Sequence, residues 1–202
     1  MIKKIILPLA LLAILALTMH GCGTRIRAEG DPVSHNMTVT NFNSIHVGGL
    51  FTVNFTQSNQ ATARIVVQEN IFEFIEFGVS NNTLTIDIRR GVSINFNGVA
   101  PRVYLTGPQL TTINASGLAI VTALSNETTV NITASGSSIV WASGLIAQNA
   151  HVNASGNAQV YVHASHLLAG SATGNARVRH NRNTTTVSVT TSGNATVQSH
   201  GD

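Results

Sequence analysis

The sequence predicts an all-β protein whose second half is a right-handed parallel β-helix, a solenoid of about 19 residues per rung. A less regular strand-rich part precedes it. Three observations carry this reading. The phrase INASGLAIV at 113–121 returns as ITASGSSIV at 132–140, VNASGNAQV at 152–160, GSATGNARV at 170–178 and VTTSGNATV at 189–197. The central glycines Gly117, Gly136, Gly156, Gly174 and Gly193 are 19, 20, 18 and 19 residues apart. Between them, small and apolar residues alternate with polar ones at period two, the mark of strands.

The alternation assigns an interior. Two residues before each glycine stand Ala115, Ala134, Ala154, Ala172 and Thr191; four before stand Ile113, Ile132, Val152, Gly170 and Val189. Four residues after it stand Val121, Val140, Val160, Val178 and Val197. Each glycine joins two short strands at a corner where a side chain would clash, and the Asn157, Asn175 and Asn194 that follow tolerate turn geometry. Rungs of this kind stack about 4.8 Å apart, the inter-strand spacing, and stability comes from contacts between neighbours.

The chain divides into four parts. Residues 1–21 read as a lipoprotein-type signal peptide: Lys3 and Lys4, then an apolar run from Ile5 to Leu17, then Gly21 directly before Cys22. That run is shorter than the roughly 20 residues a membrane-spanning helix needs. Cys22 is the only cysteine, so no internal disulfide is possible, and its setting resembles a lipobox in which the thiol is lipidated. Met19-His20 departs from the usual lipobox. Gly23, where an aspartate would signal inner-membrane retention, favours the outer membrane. Residues 22–36, with Pro32 and no apolar alternation, are expected to be a tether. Residues 37–110 form an irregular β region leading into the solenoid, with Asn81-Asn82 as a turn, Gly48-Gly49 as a candidate earlier rung, and Pro108 at the entry to the regular part. Residues 111–202 supply the regular rungs.

Charge and chemistry exclude more than they select. Eleven basic residues less Lys3 and Lys4, against eight acidic ones, leave a mature charge of +1 and no basic stripe, so nucleic acid is not a partner. Between Asp87 and Asp202 the only acidic residue is Glu127, so the solenoid lacks the paired carboxylates that glycoside hydrolysis requires. Glu69, Glu73 and Glu76 read as charges on an outer face. His151, His163 and His166 read as surface histidines; no metal site and no cofactor are expected, and no Asp is placed to orient a Ser-His pair.

One outward column is less bland. Trp141, Tyr161 and Arg179 stand five residues beyond successive glycines, with Arg177 beside them, and form the candidate binding surface. The simpler alternative is an outward ladder in which Arg179 covers Tyr161 by a cation–π contact. A second outward ladder runs through Asn114, Thr133, Asn153, Ser171 and Thr190.

The segments VTNFNSIHVGGLFTVNFTQ, VSNNTLTIDI and PRVYLTGPQLTTINASG, followed by the Ser-Gly phrases, resemble the putative autotransporter adhesin, head GIN domain family of bacterial secreted proteins and lipoproteins. The resemblance spans about residues 39–198. It implies a β-helical fold and a surface or periplasmic location, and it carries no catalytic residues to transfer. The expectation is a non-enzymatic cell-envelope lipoprotein with adhesive or surface-binding function, held to the membrane through a lipid at Cys22 and binding a glycan or a surface protein. The alternative is a carbohydrate-binding module using the Trp/Tyr/Arg column. A third class is a polysaccharide-active enzyme with carboxylates in residues 69–87.

Overall fold

Val, Ile and Thr at alternating positions favour extended backbone, and the computed structural model, which describes residues 24–200, is about two-thirds strand. The signal-peptide residues and Cys22 lie outside the described residues. The first strands are β1 (Thr24–Arg27), β2 (Pro32–Met37), β3 (Ser44–Val47), β4 (Thr52–Gln57) and β5 (Thr62–Gln68). A single helical turn, α1 (Glu69–Phe72), leads to β6 (Ile75–Ser80), β7 (Thr83–Ile88), β8 (Val92–Asn95) and β9 (Arg102–Gly107). The second half holds β10 (Thr112–Ala115), β11 (Ile120–Ala134), β12 (Ile139–Ala154) and β13 (Gln159–Gly174), then β14 (Arg177–Asn181), β15 (Thr186–Gly193) and β16 (Thr196–His200).

The second half is one succession of parallel pairings in register. Ile113 faces Ile132, Ile132 faces Val152, Val152 faces Gly170 and Gly170 faces Val189. Beyond the corner, Val121, Val140, Val160, Val178 and Val197 face one another in the same way. The long strands β11, β12 and β13 bend where their register shifts, so the sheet curls and the Val, Ile and Ala columns face inward. Ser138 is a fully buried polar member of those columns, and its hydroxyl donates to the Ala115 carbonyl at 3.3 Å.

Glycine is required at the corners for two reasons. Gly117, Gly136, Gly156, Gly174 and Gly193 all have φ between 70 and 75°. A Cβ on Gly156 would also stand 2.9 Å from the Gly136 carbonyl oxygen. The residue after each glycine donates its N–H to the glycine carbonyl of the layer before: Asn157 to Gly136 at 2.7 Å and Asn175 to Gly156 at 2.8 Å.

The register explains the irregular part. Gly49, at φ 63°, stacks beneath Gly117, and the Leu118 N–H donates to its carbonyl at 2.9 Å. β3 pairs with β10 and β4 with β11, both in parallel, so residues 44–57 make a layer of the same stack despite their distance in sequence. β7 and β9 add parallel partners to β3 and β4. Other strands reverse direction: β6 runs antiparallel to β7, and β5 runs antiparallel to β9 and to β2. Asn81 and Asn82, with φ of 49° and 59°, make the two-residue β6–β7 turn.

The tether expected at 22–36 is corrected for its described residues. β1 pairs in parallel with β8, and β2 lies along the β5 edge, where Pro32 is tolerated at the strand start. TRIR is too short for alternation to stand out. Its partner β8 lies far along the chain, so nothing local announces the pairing.

Candidate functional site

The outward side chains just past the corners form three adjacent columns on β12, β13, β14 and β16. Register places Thr122, Trp141, Tyr161, Arg179 and Gln198 in one of them. The Trp141 and Tyr161 rings stack at 3.9 Å with 17° between their planes. The Arg179 guanidinium lies 5.6 Å from the Tyr161 ring centroid, and His200 meets the same ring edge-on at 6.2 Å. Tyr161 therefore has both faces occupied. Trp141, between Thr122 and Tyr161 in the column, is 39% exposed.

The two columns nearer the corner are Asn157, Asn175, Asn194 and Gln159, Arg177, Thr196, and together they line an open groove of about 410 Å³. Its amides form a ladder: Asn194 Nδ2 donates to Asn175 Oδ1 at 3.2 Å, and Asn175 Nδ2 to Asn157 Oδ1 at 3.0 Å. The Tyr161 hydroxyl donates to Gln159 Oε1 at 3.3 Å, which ties the groove to the aromatic column. Arg177 is exposed and has no carboxylate partner among the described residues. The ladder Asn114, Thr133, Asn153, Ser171, Thr190 is also in register, with Ser171 Oγ donating to Asn153 Oδ1 at 2.9 Å.

Carboxylates are scarce on this half. Glu127 accepts from the Ser125 hydroxyl at 2.6 Å and from the Leu110 N–H at 2.7 Å, so its half-buried carboxylate is already engaged. His166 Nδ1 lies 3.3 Å from Asn149 Oδ1. Among the described residues no three His, Cys, Asp or Glu side chains are grouped to hold a metal ion.

The first half brings together residues that were not grouped in the sequence. His46, Glu76, Thr85, Asp87, Arg89 and Arg90 line an open cavity of about 580 Å³. Glu76 faces Asp87 across the β6–β7 pair, and His46 faces Thr85 across β3–β7. Gly48 leaves the room that Asp87 fills, since a Cβ there would overlap the carboxylate. Only strand order gathers this set. The one sequence signal was the period-two spacing of Thr85 and Asp87, which puts both on one face.

Residues 41–127 and 115–184 match the family model described as putative auto-transporter adhesin, head GIN domain. The chain belongs to this family. Among solved structures, the GIN-domain chain is similar to a putative adhesin from Bacteroides fragilis, at 18% identity and a TM-score of 0.58, over 86% of this chain and 99% of that one. It is also similar to a putative lipid binding protein from Parabacteroides distasonis, at 14% identity, TM-score 0.49, over 88% of this chain and 100% of that one. A putative adhesin from the same species matches at 19% identity, TM-score 0.48, over 87% and 100% of the two chains. The first of these supports the all-β, curled-sheet fold. No curated protein sequence matches the chain.

Proposed function

We propose that this GIN-domain protein is a non-enzymatic cell-envelope lipoprotein that acts as an adhesin, anchored through Cys22 to the outer membrane. Family membership is the observation that carries the reading. Its working part is a right-handed parallel β-helix of about 19 residues per rung: parallel pairing in register supports the coil, and the strong preference for right-handed crossovers supports the hand. Flat outward ladders, the Trp141–Tyr161–Arg179 column and Arg177 supply the contact surface for a glycan or a surface protein. No helix among the described residues is long and apolar enough to cross a membrane.

Protease shaving of intact cells tests the role. Loss of the protein from wild-type cells, with periplasmic markers intact, is the expected result; full protection removes the adhesive reading. Cys22→Ser is expected to move the protein from the membrane fraction to the soluble fraction. The coil is tested by pairing Thr133→Cys with Asn153→Cys in that background, since these residues face each other. Failure to form the disulfide under mild oxidation would count against stacked rungs.

A second reading is favoured by one observation, the Glu76–Asp87 pair facing across strands in the open cavity. A pair of carboxylates is the raw material of glycoside cleavage. New reducing ends released from a polysaccharide panel by wild type, and lost in Asp87→Asn, would establish it in place of the first.

A further inference from the structure

We infer that the groove of Asn157, Gln159, Asn175, Arg177, Asn194 and Thr196 is a binding site for an anionic polysaccharide, whose acidic groups meet Arg177 while its hydroxyls follow the amide ladder. The inference deepens the adhesin reading and rests on it for its biological setting. Its physical basis is the balance of donors and acceptors.

Each amide of the ladder donates one N–H to its neighbour or has none so engaged, and every Asn side chain has two such hydrogens. Asn157 and Asn175 each accept one bond on the side-chain oxygen within the ladder. Gln159 Oε1 receives the Tyr161 hydroxyl. The amides and Thr196 alone therefore offer open donors and open acceptors in near balance, and it is Arg177 that tips the groove toward donors. Arg177 adds five more donors and a full positive charge in a fork that fits a carboxylate or sulfate with two parallel bonds.

The charge has no internal answer. Arg179 stands two residues further along the same outward face, directed at the Tyr161 ring. The acidic residue of these rungs, Glu127, is bonded to Ser125 and Leu110. No carboxylate lies within reach of Arg177 among the described residues, so its guanidinium is open to an external anion.

Repetition argues for a polymer. The Asn columns climb the stack one layer at a time, about 4.8 Å per step, through Asn157, Asn175 and Asn194. A ligand with regularly spaced hydroxyls can use all three steps, whereas a lone small anion can use only the arginine. Trp141 and Tyr161 flank the groove but are engaged with each other, so the aromatic column borders the site and does not form its floor.

The test uses the mature full-length protein with Cys22→Ser, titrated calorimetrically at about 0.15 M salt, where unspecific surface charge is largely screened. The probes are polygalacturonate for carboxylate, dextran sulfate for sulfate, uncharged dextran, and single-stranded DNA. Saturable binding to one or both anionic polysaccharides, with little to dextran or DNA, is the expected result. The two acidic arms identify which anion the groove accepts. Arg177→Ala should weaken binding at least tenfold, the scale of a charged hydrogen-bonded contact. Arg177→Lys should recover part of the loss, and the charge-matched control Arg25→Ala should leave affinity unchanged. Equal binding to DNA, equal losses in Arg177→Ala and Arg25→Ala, or no binding to either polyanion each overturns the proposal. Shaving of intact cells reads the adhesin role separately: a buried protein that still binds polyanions keeps the groove and loses the adhesin.

Discussion

The two halves of the molecule solve the same packing problem with different side chains. Nine of the twelve largest fully buried side chains, Phe51, Phe55, Ile45, Ile65, Ile71, Leu84, Ile86, Leu105 and Leu110, belong to the first half. The other three are Ile113, Ile132 and Leu145. In the second half the interior is chiefly Val and Ala, because successive parallel strands pair in register at fixed spacing and leave the same narrow space each time. In the first half the strands change direction, and the volumes between them vary. Large rings fill those volumes: Phe42 and Phe55 meet edge to face at 6.2 Å. Repetition permits small side chains, and irregular topology demands large ones.

The largest effect that sharpens this contrast is expected inside the stack. Ile132→Ala removes a side chain that is 1% exposed and held between two layers, and should cost about 2–5 kcal/mol in denaturant unfolding. Val187→Ala in the last layer, where the side chain is 45% exposed, should cost well under about 1 kcal/mol. Equal costs would mean that the final layer is covered in solution.

Next comes the corner. Gly156→Ala must adopt φ 72° and press on the Gly136 backbone, and should cost about 2–3 kcal/mol. Gly78→Ala has open space and no left-handed φ, and should stay within about 0.5 kcal/mol. A neutral Gly156→Ala would break the claim that glycine is required at the corners.

Glu127→Ala strips the Leu110 N–H and the Ser125 hydroxyl of their partner at the junction of the halves, with an expected cost of about 1–3 kcal/mol. Restoration by Glu127→Gln, which keeps an acceptor oxygen, separates lost hydrogen bonding from lost charge. The smallest effect belongs to the surface column: Tyr161→Ala should cost about 1 kcal/mol and alter the emission of Trp141, the chain's single tryptophan.

Those rungs were legible because their signal is local. Period-two alternation, a glycine every 18 to 20 residues and small flanking side chains give the register outright, and with it the order Trp141, Tyr161, Arg179. The first half hid its pairings because they are distant: Gly49 under Gly117, β1 beside β8, Glu76 opposite Asp87. No periodicity links such residues. The groove of the Asn ladder was half legible, since the recurring Asn after glycine was visible. What hid was that its second N–H and Arg177 remain unspent, which only the hydrogen-bond geometry reveals.

The stack of corner glycines also governs how such a molecule can change in size. Because every layer offers its successor the same carbonyl at the same place, a duplicated segment of one full period would dock between two existing neighbours with all bonds remade. A duplication of an odd number of residues would turn the inward side chains of the inserted strand to the other face. An insertion of one whole repeat at a corner is therefore expected to be tolerated better than one of arbitrary length, as read by denaturant unfolding.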